Sequence, residues 1–337
     1  MVNAPLRRRA FTLAGTGLAL GLGGCAAVDG AQPVASPPGG TGGAILSHWL
    51  SLTGGWRLDP QSPPQVARLL GGRNDFVQPV GVAARNGVLL VADAGARTLW
   101  RVERARDAMA PFTTFRGGVA DAGASMQLGS DFSAWVALPA ERMVVQYDAR
   151  GRIVRRWADE VDAPRPVAVA VPEDRSRVLV GDSATAQVLV FDALGQVQGR
   201  LGGRHPLPLQ SIAAMALGPR GLYVLDRLAQ QVMVFDPRGV LVEVLAEHQL
   251  VQPRALAVDG SGRVFVSDEA DQTIKVFRGE ELLGVAGGRG AGPSRFGRIE
   301  SMALDGNLLY VADSQNARVQ VLMVAPPSME APPERRR

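Results

Sequence analysis

Leu222-Tyr223-Val224-Leu225-Asp226, a short break, then Val232-Met233-Val234-Phe235-Asp236: this stretch decides the fold. Both runs are apolar, rich in β-branched residues and too short for helices. They read as two antiparallel strands joined by a turn. The pattern recurs. Val178-Leu179-Val180-Gly181-Asp182 with Val188-Leu189-Val190-Phe191-Asp192 precedes it, and Val88-Leu89-Leu90-Val91-Ala92-Asp93 with Leu99-Trp100-Arg101-Val102 opens the series. Val264-Phe265-Val266-Ser267-Asp268 with Ile274-Lys275-Val276-Phe277 follows it, and Leu308-Leu309-Tyr310-Val311-Ala312-Asp313 with Val319-Gln320-Val321-Leu322 closes the series. Trp135-Val136-Ala137-Leu138 with Met143-Val144-Val145-Gln146-Tyr147-Asp148 is a degenerate copy, with Leu138 in the aspartate's place. The anchors 93, 138, 182, 226, 268 and 313 are spaced by 45, 44, 44, 42 and 45 residues. Six regular β units with glycine-rich breaks predict an all-β fold, a six-bladed β-propeller with four strands per blade.

Each unit has an earlier strand of small residues, such as Pro79-Val80-Gly81-Val82-Ala83 or Pro166-Val167-Ala168-Val169-Ala170, suited to the crowded axis. A fourth strand, such as Leu282-Leu283-Gly284-Val285-Ala286, leads to a Gly-Gly-Arg break at 71–73, 202–204 and 287–289. The last unit supplies only three strands. The orphan Gln65-Val66-Ala67-Arg68-Leu69-Leu70 is predicted to close the ring by pairing residues 66–70 with 318–324. Closure of this kind leaves only short, protected edges.

The composition fits such a fold: 40 Gly and 23 Pro for turns, and 46% hydrophobic residues for a packed core. The net charge of +4 sits at the ends. Without Arg7–Arg9 and the tail from Pro326, thirty bases face thirty acids. A neutral body lacks the electrostatic attraction that dominates nucleic-acid affinity, so no nucleic-acid partner is expected. One cysteine excludes an internal disulfide and a Cys-based zinc site.

That cysteine follows an address. Arg7, Arg8 and Arg9 precede an uncharged stretch over 10–24, too short to span a ~30 Å hydrocarbon core comfortably. Leu22-Gly23-Gly24-Cys25 resembles the lipobox of bacterial lipoproteins, which implies lipidation of Cys25. Arg8-Arg9-Ala10-Phe11-Thr12-Leu13 also resembles a twin-arginine export signal; an ordinary secretory signal stays open beside it. Ala26 after the cysteine implies, by resemblance to the sorting rule of such lipoproteins, the periplasmic face of the outer membrane. Residues 26–43 read as a tether with an r.m.s. reach of roughly 20–25 Å. The expected organisation is a signal peptide over 1–24, lipidated cysteine and linker over 25–43, a pre-propeller segment over 44–65, the propeller over 66–325 and a disordered Pro/Arg tail over 326–337. Trp49 and Trp56, early in the mature chain, are expected to pack on the propeller wall or to dock a partner.

Pro-x-Gly-Val-Ala, Tyr-Val-Ala-Asp, a loop with Asn and Arg, then Val-Gln-Val together resemble the NHL repeat. Tyr310-Val311-Ala312-Asp313-Ser314-Gln315-Asn316-Ala317-Arg318-Val319-Gln320-Val321 is a close match. The resemblance implies a propeller and says little of function, since one fold hosts many activities. Animal members bind RNA, and a peptidyl-hydroxyglycine lyase of this type holds a His-bound zinc at the axis. Calcium-dependent six-bladed lactonases are a further comparison.

The candidate chemistry is sparse. Asp93, Asp182, Asp226, Asp268 and Asp313 recur once per blade and are read as caps of the following turns. His205 and His248 lie one repeat apart and His48 lies before the first repeat, so a three-histidine zinc site is not expected, and no cofactor is. Gly287 to Gly292 is read as a blade-to-blade connection, because it opens no helix. What remains is a surface. The loops entering each blade and the turns after each Asp share one face, expected to carry Arg73, Arg97, Arg204, Arg227, Arg254, Arg289 and Arg318, with Arg295 and Arg298 beside them. A long insertion over 117–131 is expected to add to it. Arginine favours carboxylates and interfaces. The expected function is a monomeric, non-catalytic binding platform for an envelope protein, peptide or glycan. The alternative is a metal-dependent propeller enzyme of lyase or lactonase type; RNA binding comes third. If Cys25 carries the lipid, Cys25→Ser will move the protein from the detergent phase to the aqueous phase on phase partitioning; an unchanged distribution refutes lipidation.

Overall fold

The computed structural model describes residues 45–57, 72–115, 124–157, 165–202 and 208–327. They form six small sheets, antiparallel apart from one parallel bridge between Trp56 and Ala108, the blades of a six-bladed β-propeller, and no α-helix. The last blade includes the first described strand, β1 (Leu46–Leu52). A hairpin of β2 (Gly54–Trp56) and β3 (Arg73–Asp75) then leads into blade 1, which comprises β4 (Pro79–Arg85), β5 (Val88–Asp93), β6 (Thr98–Glu103) and β7 (Ala108–Thr114). Blade 2 holds β8 (Met126–Leu128), β9 (Ala134–Leu138), β10 (Met143–Tyr147) and β11 (Ile153–Trp157). Blade 3 holds β12 (Pro166–Ala170), β13 (Arg177–Asp182), β14 (Gln187–Asp192) and β15 (Val197–Leu201). Blade 4 holds β16 (Ile212–Gly218), β17 (Gly221–Asp226), β18 (Gln231–Phe235) and β19 (Leu241–Leu245). Blade 5 holds β20 (Pro253–Val258), β21 (Val264–Asp268), β22 (Thr273–Arg278) and β23 (Glu281–Gly287). Blade 6 holds β24 (Ile299–Asp305), β25 (Leu308–Asp313) and β26 (Arg318–Val324), and β1 completes it.

There is no single core. Six apolar clusters each lie between two neighbouring blades. The second strand of each blade is buried on both faces, which is why it reads as a continuous apolar run. Along β17, Leu222 and Val224 pack toward blade 3, whereas Tyr223 and Leu225 pack toward blade 5. The period of two thus sorts side chains between two interfaces. Fourth strands alternate between covered and exposed, as in β15. The innermost strands carry Ala, Gly and Val because six of them converge: a Cβ added to Gly81 would stand 2.6 Å from the Ala124 carbonyl oxygen of the next blade.

The ring is closed by an N-terminal strand on the last blade, as expected, but by a different one. The free edge of β26 is taken by β1, from Leu46 opposite Val324 to Leu52 opposite Val319. Residues 66–70, expected to pair with 318–324, lie outside the described residues. The physical reason favours β1. Leu46 enters the cluster between blades 5 and 6, while Leu50 and Leu52 pack against the one between blades 6 and 1. The stretch over 46–56 therefore belongs to the propeller and does not precede it. Likewise the expected insertion at 117–131 contains β8, the innermost strand of blade 2, so it is not wholly a loop on the face.

Each blade has two rims. The upper rim carries the loops into the first strand and the turns after the repeated aspartates. The lower rim carries the other hairpin turns. The described propeller begins and ends at the lower rim of blade 6, where the Ala325 N–H donates to the Ile45 carbonyl at 2.9 Å. Removing residues 1–52 strips β1 and should lower the thermal midpoint by roughly 10 °C or more, whereas removing 1–44 should leave it unchanged. An unchanged midpoint after the longer truncation means that another segment closes the ring.

Candidate functional site

The repeated aspartates build the upper rim. All five are completely buried. Asp226 accepts from the backbone N–H groups of Gln210 at 2.6 Å and Ser211 at 3.0 Å, in the loop entering its blade. It also accepts from Leu228 and Ala229 in the turn that follows it. Asp268 does the same with Val251, Gln252 and Ala270, and adds the ammonium of Lys275 at 2.7 Å. Burial would raise the Asp268 carboxyl, but Lys275 and the backbone donors hold it below its usual range. Asp93 and Asp313 likewise bridge the entering loop and the following turn or strand. The aspartates are structural, as expected, and they cap the loop before the blade as well as the turn after it. In blade 2 the same place is filled by Leu138, buried in the cluster between blades 1 and 2.

The innermost strands enclose an axial channel of about 690 Å³. Its wall is mostly Ala, Val and Met, with a few polar groups that are already engaged. The Gln127 side chain pairs with both backbone groups of Val171, at 2.5 and 2.7 Å, and so ties blade 2 to blade 3. At the lower mouth, Arg85 of blade 1 reaches Glu173 of blade 3 through two hydrogen bonds, past the short β8.

The upper mouth is different. Five of the six first strands carry a β-bulge just below the upper rim. Bulges re-aim side chains and cluster near functional sites. The bulged residues are Val80, Val167, Ala213, Arg254 with Ala255, and Glu300. Blades 5 and 6 therefore set opposite charges where blades 1, 3 and 4 set apolar groups. Arg254 bonds Glu300 through two nitrogens, with a side chain 9% exposed against 3% for the glutamate. Arg254 also lies 3.4 Å from Glu269 in the turn after Asp268. Glu269 is further flanked by Arg227 at 3.4 Å and Arg298 at 3.1 Å. Arg298 Nε stands 3.0 Å from Glu300 without an aligned hydrogen bond. Burial pushes the Glu300 carboxyl above its usual range, and Arg254 and Arg298 pull it back.

Of the arginines expected on one face, Arg227, Arg254 and Arg289 converge here with Arg298. Arg289 donates to the carbonyls of Glu269 and Ala270 at 3.3 and 3.2 Å. Arg318 is a clamp: it binds Asp313 at 2.9 Å and the carbonyls of Ala291, Gly292 and Arg295. It fixes the glycine-rich loop, which links β23 to β24 as read from the sequence. Arg295 donates to the Gly287 carbonyl. Arg97 is exposed on the turn of blade 1, apart from this group. Arg73 is not on the upper face. It lies on the β2–β3 hairpin, bound to Asp75 and 3.9 Å from Asp107, a turn residue of the lower rim. The Gly-Gly-Arg analogy misplaced it, because this copy leads into a hairpin and not directly into a blade. Arg204 lies outside the described residues, as do Cys25 and His205.

Sequence reasoning missed Glu269 and Glu300. Aligning the first strands at the residue after Pro79, Pro166, Ile212, Pro253 and Ile299 exposes Glu300 as a charge in an apolar column. Neither described histidine lines the axial channel. His48 is on β1, the outer strand of blade 6, where its Nε2 meets Ser51 Oγ at 3.1 Å. His248 lies on the loop between blades 4 and 5, outside the channel lining. Among the described residues no three His, Cys, Asp or Glu side chains group as metal ligands. No protein family and no curated protein matches the chain.

A buried ion pair adds little stability over apolar packing, while a lone buried charge is costly. Glu300→Val alone should destabilise the fold by about 3–5 kcal/mol. Arg254→Val with Glu300→Val, which copies Val80 and Val167, should recover most of that loss in urea unfolding. A double variant as unstable as the sum of the singles would show that the pair is required for folding.

Proposed function

We propose that the chain is an envelope-anchored lipoprotein whose propeller binds a protein partner without chemical turnover. The observation that carries this reading is the separation of the two rims. The described chain enters and leaves the propeller at the lower rim of blade 6, where β1 begins and β26 ends. On the upper face, the described residues entering blades 4 and 5 are riveted by buried aspartates and lie away from both described ends. A lipid on Cys25 would anchor the chain through its N-terminal tether, which joins the propeller at the lower rim, away from the upper mouth.

Other features support binding over catalysis. The upper mouth holds arginines and carboxylates engaged with one another, an arrangement suited to recognition. Rigid loops present a surface at low ordering cost, which favours affinity. Exposed Leu228 and Val251 add apolar contact beside the charges. Nothing in the geometry favours the lyase, lactonase or RNA readings over this one.

The test is site-specific photocrosslinking in cells. A crosslinker at Gln252 on the upper face should capture one reproducible envelope protein, and one at Leu194 on the lower rim should not. Cys25→Ser should reduce that capture. Capture from both rims alike, or from neither, overturns the platform reading.

A further inference from the structure

We propose that the upper mouth binds an acidic peptide segment, holding one carboxylate between Arg227 and Arg298 while neighbouring aliphatic side chains rest on Leu228 and Val251. The inference rests on the platform reading and gives that platform a partner class.

Three guanidinium groups, Arg227, Arg254 and Arg298, are linked to two carboxylates, Glu269 and Glu300. Arg289 stands on the carbonyls of the same turn. Among the described residues this linked group carries one positive charge in excess, which a ligand carboxylate would balance. The distribution of exposure says where. The Arg254 and Glu300 side chains are 9% and 3% exposed, so they form the floor. Arg227 and Arg298 are 46% and 35% exposed, on either side of Glu269. Each shows Glu269 one nitrogen, at 3.4 and 3.1 Å, and a guanidinium has five donors in a planar fork. Such forks favour two-point contact with a second carboxylate.

The fold does not demand these charges. Val80, Val167 and Ala213 occupy the matching bulge positions of other blades, and the ring forms around them. Placing a buried ionic group at such a position costs desolvation without a clear folding return.

The surroundings select the ligand class. Leu228 and Val251 are 67% and 55% exposed; Leu228 follows Arg227 in the chain, and Val251 is bonded to Asp268, the residue before Glu269. They are held together, since Gln230 Nε2 donates to the Val251 carbonyl at 2.6 Å. Leu228 N–H is fixed by Asp226 and Val251 N–H by Asp268, so both project from rigid turns. Aliphatic side chains beside arginine suit a peptide with alternating acidic and aliphatic residues. Sugar rings prefer flat aromatic faces, and the exposed aromatic ring among the described residues, Trp49, lies on the outer wall beneath Arg104.

The test uses the full chain in detergent and fluorescence anisotropy. The probe is a short fluorescein-labelled peptide with a central Leu-Asp-Val, compared with its Leu-Asn-Val isostere. The acidic peptide should bind roughly tenfold tighter than the isostere, and the difference should shrink as salt rises. Arg227→Gln, Arg298→Gln and Leu228→Ser should each weaken it about fivefold or more with an unchanged thermal midpoint. Equal affinity for the two peptides, or no effect of Arg227→Gln and Arg298→Gln, overturns the proposal. Binding of an oligoglucuronate but not of either peptide overturns the peptide class in favour of an acidic glycan. Upper-face crosslinking that survives Arg227→Gln would leave the platform standing while this site fails.

Discussion

A carboxylate with no exposure to water must be surrounded by donors, and the propeller uses that requirement as a fastener. At the end of the second strand of five blades, a buried aspartate gathers N–H groups from chain segments on either side of the sheet. The donors before the blade lie some fifteen residues upstream of the acid, so one side chain fixes a loop that has no ladder of its own. Leaving such an acid without its donors would cost the full desolvation of a charge. The described residues just before these first strands are therefore held by hydrogen bonds, as strand residues are. Blade 2 solves the same place with Leu138, which asks for no donors and offers none.

This fastening separates stability from recognition. The apolar clusters between blades supply the burial that holds the ring, and they extend outward from the channel-lining first strands. The bulged residue lines the channel in blades 3 to 6, whereas Val80 of blade 1 is buried between blades 1 and 2. The identity of the bulged residue can change from Val to Ala, Arg or Glu while the strand keeps its register. Local polarity can thus be written on the mouth with little effect on the core. The asymmetry of blades 5 and 6 is written there.

Much of the fold was legible because a period near 44 residues has few structural meanings, and each anchor aspartate marked a strand end. The closing strand was not legible for a related reason. Neither 65–70 nor 46–52 alternates strictly between apolar and polar residues, and the Gly-Gly-Arg at 71–73 copied the end of a true blade. Only three-dimensional fit into two inter-blade clusters distinguishes Leu46, Leu50 and Leu52. The site was half legible. Arginines at rim positions were visible as a class, but whether a given guanidinium faces a carbonyl, as in Arg318, or a carboxylate, as in Arg254, depends on contacts between blades. Arg73 shows the limit of analogy, since the same tripeptide sits in a different connection.

The two glutamates show how such contacts acquire meaning. Glu269 alone, on an exposed turn, would be an ordinary solvated acid. Placed between Arg227 and Arg298, and above the Arg254–Glu300 pair, it keeps two guanidinium planes apart and oriented. An arginine cluster without it would repel itself and spread its side chains into solvent. The acids of the mouth therefore do not compete with an acidic ligand so much as preorganise the cations that would receive it, and preorganisation lowers the ordering cost of binding. The same logic explains why the cluster is built across three blades. No single strand could place three arginines around one carboxylate, but neighbouring copies of one repeat, fastened by one buried acid each, bring their turns to the same height around the axis.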